Sequence, residues 1–103
     1  MSDPLPVRIT ALAAEHIRAA KAWWRMNRTA APQAIDQELQ RAFALIASQP
    51  SAGARATDVE LTNVRRVFLP RVKYHVYYHL VSPPERIEVV AFWHARRGHG
   101  PPI

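Results

Sequence analysis

The amino-acid sequence predicts an α+β domain in which an N-terminal helix hairpin packs on one face of a small antiparallel sheet, in the order β-α-α-β-β-β. Two observations lead to this prediction. The first half holds two stretches whose apolar residues recur at steps of three and four, which is typical of amphipathic helices. The second half holds short runs of β-branched and aromatic residues separated by proline-containing turns, which is typical of antiparallel strands.

The first elements are a short strand, Val7–Ile9, and a helix that Thr10 is well placed to cap. The apolar stripe of this helix comprises Ala13, Ile17, Ala20 and Trp24. Trp23 lies beside the stripe and is expected either to widen it or to cover a neighbouring element. We expect the helix to end near residues 27–29.

A second helix is expected to begin near Pro32, because the fixed φ of proline suits a first helical turn. Its apolar stripe comprises Ile35, Leu39, Ala42, Phe43 and Ile46. Pro50 should end this helix after Ser48 and Gln49. Two amphipathic helices joined by so few residues form an antiparallel hairpin. The small polar residues of segment 51–58 then predict a surface loop.

Three strands follow in the C-terminal half. They are Val64–Leu69, Tyr74–Leu80 and Arg86–His94. The Ser-Pro-Pro-Glu corner at residues 82–85 predicts a hairpin that pairs Val81 with Arg86, and alternation along the strands then defines two faces. The predicted core face comprises Tyr74, Val76, Tyr78, Leu80, Ile87, Val89, Ala91 and Trp93. The second face, which we expect to be open, comprises Lys73, His75, Tyr77, His79, Glu88, Val90, Phe92 and His94. A one-residue slip in register would exchange these partners, so both registers stay open at this point.

Length and composition limit the class of protein. The 103 residues predict one domain, 1–103, whose last residues, 98–103, form an extended and flexible tail. The chain has no cysteine, which excludes disulfides and thiolate metal sites. No run approaches the roughly 20 apolar residues of a membrane span, and the N-terminus lacks the pattern of a signal peptide. We therefore expect a cytoplasmic protein without a membrane partner.

The formal net charge of +6 is unevenly distributed. Residues 1–60 contain seven Lys and Arg against six Asp and Glu, whereas residues 61–103 contain seven against two, a net charge of +5. The basic surface therefore belongs to the sheet half. Such clustering predicts an acidic partner, either a nucleic acid or an acidic protein segment, although charge that serves solubility alone is the simpler alternative.

Five successive features carry a resemblance to a known family. They are the helix hairpin, QPSAG at Gln49–Gly53, RRVFL, YHVYYHL, and IEVVAFWHARRG after the turn. In this order they resemble the RelE/ParE superfamily of small bacterial toxins, over nearly the whole chain from Val7 to Gly98. The resemblance implies a growth-inhibiting, plasmid-stabilising toxin of a type II toxin–antitoxin module. It also implies a cognate antitoxin with an acidic toxin-binding part, and no cofactor.

The superfamily has two main activities: RelE-like members cleave messenger RNA on the ribosome, and ParE-like members poison DNA gyrase. Metal-free RNA cleavage needs a base, an acid and cations for the phosphate. If the chain is a nuclease, the resemblance assigns these roles to His94, Arg96 and His75. However, Ala95 stands where RelE-like enzymes often place a tyrosine, and an ending of histidine followed by arginines is common in ParE-like proteins. The ParE-like function is therefore the preferred prediction, and a toxin fold without potent activity is a third hypothesis.

The candidate partner-binding residues combine strand-end cations with side chains of the second face. They are Arg65, Arg66, Lys73, His75, Tyr77, Phe92, His94, Arg96 and Arg97. No metal site is predicted, because His75 and His79 are four strand residues apart, roughly 13 Å, which is too far for one ion. For His94, a hydrogen bond to the backbone at the strand end is the simpler alternative to a role as base.

Overall fold

The computed structural model describes residues 3–103, so the first two positions of the predicted domain lie outside the described residues. Its elements are β1 (Val7–Ile9), α1 (Ala11–Asn27), α2 (Ala34–Ser48), β2 (Ala54–Arg55), β3 (Arg65–Leu69), β4 (Tyr74–Val81) and β5 (Arg86–His94). Two helices pack on one five-stranded sheet. The predicted α+β class and the order of its elements are confirmed.

The sheet differs from the prediction at both edges. Its strand order is β1-β5-β4-β3-β2, and β1 runs parallel to β5, so the sheet is mixed and not purely antiparallel. The predicted loop at 51–58 contains the two-residue strand β2, in which Ala54 pairs with Arg66. Both differences involve pairing between residues far apart in the chain, which local patterns do not encode.

The helices begin and end close to the predicted positions. The Thr10 hydroxyl accepts a hydrogen bond of 3.2 Å from the Ala13 amide, which caps α1 as expected, and α1 ends at Asn27. The helix α2 begins at Ala34, two residues after Pro32, and its N-cap residue makes no side-chain capping bond. Each helix turns its apolar stripe towards the sheet.

The main core lies between the helices and the sheet. Its buried residues are Ala13, Ala20, Trp24, Ala34, Ile35, Leu39, Ala42, Ile46, Leu69, Val72, Val76, Tyr78, Ile87, Val89 and Phe92. Ile17 and Phe43, predicted members of the two stripes, pack against this cluster and are only partly buried. The stripes predicted from the sequence therefore form the helix side of the core.

A β-bulge in β5 changes which side chains face the helices. Val81 pairs with Arg86 as predicted, and Tyr78 pairs with Val89. Tyr77, however, pairs with Ala91, so Val90 has no partner on β4. A bulge inserts one residue and reverses the alternation beyond it. The predicted faces are therefore correct up to the bulge and exchanged on β5 after it.

Because of the bulge, several side chains lie on a different face of the sheet from the predicted one. Phe92, predicted on the open face, belongs to the main core, whereas Ala91 and Trp93, predicted in that core, lie in a second cluster. Tyr77 and Phe92 are only 1% and 2% exposed, so the prediction that both present their rings to a partner is wrong. Leu80, predicted as core, is 50% exposed, because β4 continues past Tyr78, the last of its residues that pairs with β3.

The second face of the sheet is covered by the chain itself. Its buried cluster, Val64, Tyr77, Val90, Ala91 and Trp93, packs against Ala56, Val59 and Ile103. The C-terminal residues lie along this face: the Leu61 amide donates to the Ile103 carbonyl at 2.8 Å. The prediction of an open second face is therefore wrong over these residues, because the tail and the preceding loop bury them.

No helix within residues 3–103 is long and apolar enough to cross a membrane.

Candidate functional site

The candidate site is built around the turn that follows β5. The Ala95 amide donates to the Lys73 carbonyl at 2.8 Å, which ties this turn to the start of β4. The Arg96 amide donates to Nδ1 of His94 at 3.2 Å, and the Arg97 amide donates to the His94 carbonyl at 3.2 Å. His94 thereby holds the turn, and both arginines of the turn are exposed.

The first cleft of the site, which we call the tail cleft, lies between the sheet and the C-terminal residues and has a volume of about 250 Å³. Its lining includes Arg66, His75, Tyr77, His94, Arg97 and His99, together with Asp58. The Tyr77 hydroxyl donates to Oδ2 of Asp58 at 2.7 Å, and Nη1 of Arg66 donates to the same oxygen at 3.1 Å. Asp58 therefore neutralises the cation at one end of the cleft.

Trp93 also lines the tail cleft. The Arg97 guanidinium lies 3.9 Å from the centroid of the Trp93 ring, a cation–π contact. The indole N–H of Trp93 donates to the His99 carbonyl at 2.8 Å, which fixes the tail over the sheet. Gly100 fits against the backbone of Asp58, and a side chain at position 100 would overlap that backbone.

His16 is a residue that the sequence analysis missed. Because β1 ends at Ile9, the outer edge of β5 has no neighbouring strand at Phe92. Nδ1 of His16 accepts the Phe92 amide at 3.2 Å, and the imidazole packs 5.2 Å from the Trp93 ring centroid. The only signal in the sequence was a polar residue beside the apolar stripe of α1.

Three histidines of this region have lowered pKa values. Burial, followed by the charge of Arg97, lowers the pKa of His16, and Glu15 opposes the shift. Burial and the neighbouring Arg66 lower the pKa of His75, with Asp58 opposing. Burial lowers the pKa of His94, and the two arginines of the turn add to this effect. All three imidazoles are therefore neutral at neutral pH, and the positive charge of the site comes from guanidinium groups.

The lowered histidine pKa values make stability depend on pH. Below the unfolded-state value near 6.5 the unfolded chain binds more protons than the folded chain, so the free energy of unfolding should fall as the pH falls. In His16→Asn the amide oxygen can still accept the Phe92 amide but does not titrate. We expect this variant to lose less stability than the wild type between about pH 7.5 and about pH 5 in urea melts. Identical losses for both proteins would contradict the role given to His16.

The structure brings together five of the nine predicted partner-binding residues. Arg66, His75, Tyr77, His94 and Arg97 line the tail cleft. Arg96 lies beside it on the turn. Arg65 lies elsewhere, because its guanidinium donates to the Gly53 carbonyl at 2.8 Å, and Lys73 occupies the β3–β4 turn with a φ of 65°. Phe92 lies in the main core and does not line the tail cleft.

Two further concave surfaces adjoin α1. The Trp23 cleft, of about 320 Å³, is lined by Trp23, Tyr74, His94, Arg96 and Arg97. The α1 groove, of about 470 Å³, is lined by Ile9, Ala14, Ile17, Arg18, Lys21, Ala22 and Arg25. Both combine apolar side chains with cations, and neither lining contains a carboxylate, so both surfaces favour acidic ligands.

Within residues 3–103, no group of three or more His, Asp or Glu residues is arranged to hold a metal ion. His79 and Glu88 approach to 3.3 Å, but they lie at the hairpin end of the sheet and line neither cleft. What the site offers chemically is a set of guanidinium groups and neutral imidazoles around aromatic rings. That combination binds anionic groups.

Comparison with known proteins places this geometry in context. The family model described as the ParE toxin of the type II toxin–antitoxin system, parDE, matches residues 7–98. Among solved structures, one described as the chromosomal ParDE TA system from P. aeruginosa superposes with a TM-score of 0.72 at 16% sequence identity. The match covers 92% of this chain and 100% of that chain, and at this identity the likeness concerns the fold. No curated protein matches the sequence.

Proposed function

This chain belongs to the ParE toxin family of type II toxin–antitoxin systems, and from that membership we propose that it is a toxin that inhibits DNA gyrase by binding and is neutralised by a cognate antitoxin. The observation that carries the proposal is the family match over residues 7–98. The proposed mode of action is occupation of a surface on the target and involves no bond cleavage by this chain.

The environment of His94 supports a binding mode of action. Nδ1 of His94 accepts the Arg96 amide, so one ring nitrogen is occupied in holding the turn. The Tyr77 hydroxyl is committed to Asp58, and burial together with that hydrogen bond raises the pKa of Tyr77. Neither group is an acid poised to protonate a leaving oxygen near neutral pH.

The antitoxin surface is proposed to include the α1 groove. An acidic amphipathic segment would place apolar side chains on Ile9 and Ile17 and carboxylates on Arg18 and Arg25. The strand-end cations and histidines predicted from the sequence remain proposed contacts with the antitoxin or with the target. They are Arg65, Arg66, Lys73, His75, His94, Arg96 and Arg97. Charge pairs at such rims mainly raise the association rate and make it sensitive to salt.

The proposed function predicts that the purified toxin blocks negative supercoiling by DNA gyrase and that stoichiometric antitoxin restores it. The reason is that a toxin held in a complex with its antitoxin would no longer be free to engage its target. Supercoiling of a relaxed plasmid, followed by gel electrophoresis with and without antitoxin, measures both effects. A toxin with the double substitution Arg96→Ala and Arg97→Ala should inhibit less, and Arg55→Ala, a basic residue outside both clefts, is the matched control.

The alternative function is that of a RelE-like, ribosome-dependent mRNA endoribonuclease. The observation in its favour is that His75 and His94 line one cleft together with Arg66 and Arg97. Cleavage of a message on translating ribosomes provides the second assay. Cleavage that disappears in His94→Ala, together with undisturbed supercoiling, would replace the gyrase proposal by the nuclease.

A further inference from the structure

Trp23 is an exposed aromatic residue that belongs to neither buried cluster. Its neighbour Trp24 is buried in the main core and donates its indole N–H to the Ala31 carbonyl at 2.7 Å. Trp23 is 46% exposed and lines the Trp23 cleft, with the Arg28 guanidinium 5.3 Å from its ring centroid. A large, half-exposed indole in a concave surface is the type of residue that anchors protein–protein interfaces.

The opposite wall of the Trp23 cleft is held in place by the fold. Tyr74 stacks on the buried Phe92 ring at 4.5 Å, with an angle of 7° between the planes, and meets the His94 ring edge-on at 5.0 Å. His94 is in turn fixed by the Arg96 amide. The cleft therefore exists before any partner binds, which lowers the entropic cost of occupying it.

The charge of the cleft restricts its occupant. Its lining holds two arginines, Arg96 and Arg97, and within residues 3–103 neither forms an ion pair with a carboxylate. An occupant that matches this chemistry carries carboxylates for the guanidinium groups and one bulky apolar side chain for the space between Trp23 and Tyr74.

A nucleic-acid strand fits the same surface less well. Single-stranded nucleic acids are bound along a continuous basic track that contacts successive phosphates. On the other side of Arg97 the surface continues into the tail cleft, where Asp58 is paired with Arg66 at 3.1 Å. The carboxylate of Asp58 interrupts the basic track, so the geometry favours a short acidic peptide segment.

We propose that the Trp23 cleft receives an acidic segment of the toxin's protein target that carries an aromatic or large aliphatic anchor. The inference rests on the proposed function in taking the partner to be the target of a toxin. It assigns the target contact to a surface distinct from the α1 groove: Trp23 lines the cleft only, and no residue lines both. Target and antitoxin would then bind through different residues of the toxin.

The chemistry of the surface can be tested with model polymers and the full chain. Calorimetric titration should show tighter binding of a random copolymer of glutamate and tyrosine than of polyglutamate or of a single-stranded oligothymidine. In Trp23→Ala the copolymer affinity should fall about 30-fold, the size of a hot-spot loss, and Trp23→Phe should recover part of it. Met26→Ala, an exposed residue of the same helix end, is the matched control. Arg96→Ala should weaken binding and reduce its dependence on salt.

An assay of gyrase inhibition uses the same variants. Trp23→Ala should lose inhibition of gyrase by a similar factor while its affinity for the antitoxin stays within about threefold of the wild type. Tighter binding of the oligothymidine, unchanged copolymer binding by Trp23→Ala, or an equal loss of antitoxin affinity would each overturn the inference. If the wild type leaves gyrase active but binds the copolymer through Trp23, the gyrase proposal fails and the acidic-segment surface stands.

Discussion

Phe92→Ala is expected to destabilise the protein by about 3–5 kcal/mol. The Phe92 ring is buried under the helices and stacked on Tyr74, so truncation removes an aromatic contact and leaves a cavity. Leu80→Ala is the matched comparison, because Leu80 lies on the neighbouring strand, half of it is exposed, and its loss should cost less than about 1 kcal/mol. Urea melts of the two variants at neutral pH give the difference.

This pair of variants tests the register of the sheet. Simple alternation from the hairpin places Leu80 in the core and Phe92 on the outer face. In the structure the bulge at Val90 turns Phe92 into the main core, and Leu80 is half-exposed because it lies past the last residue of β4 that pairs with β3. A loss below about 1 kcal/mol for Phe92→Ala would show that β5 runs without the bulge. The loss of stability in Phe92→Ala, compared with that in Leu80→Ala, therefore reports which face of the sheet the Phe92 ring occupies.

Ile46→Ala and Leu39→Ala are each expected to cost about 2–5 kcal/mol, because both side chains fill the main core from α2. Ile46 is fully buried, so its truncation leaves a cavity that the surrounding strands cannot close completely. Leu45→Ala provides the control on the same helix, since Leu45 is exposed. Losses below about 1 kcal/mol for both core variants would mean that α2 does not pack on the sheet in this way.

The functional consequence of the fold is that one turn borders two clefts. His94 and Arg97 line both the tail cleft and the Trp23 cleft. A substitution of either residue would therefore disturb both surfaces and would not separate their roles. Trp23 lines only the Trp23 cleft, and Arg66 lines only the tail cleft. Variants of these two residues are the ones that can assign an activity to one surface.

The two helices and the strands β4 and β5 could be predicted from the sequence, because local patterns of residues encode them. The apolar steps of three and four determine which face of each helix is buried, and the cap at Thr10 determines where α1 begins. The strands β4 and β5 follow from β-branched and aromatic runs, and the hairpin pairing of Val81 with Arg86 follows from the proline corner. Each of these signals spans only a few residues, so none of them depends on distant parts of the chain.

The candidate site depended on contacts that no local pattern encodes. The inserted residue Val90 reverses the faces of β5. The bulge is held by the β4–β5 pairs on either side of it and by packing on both faces of the sheet. The sequence identified the basic turn at 94–97 but not the Trp23 cleft, because the cleft forms only where α1 crosses the end of β5. The tail covers the second face through a bond from Leu61 to Ile103, which are 42 residues apart. Tertiary structure alone decided these features, because the free energy that selects them comes from long-range packing.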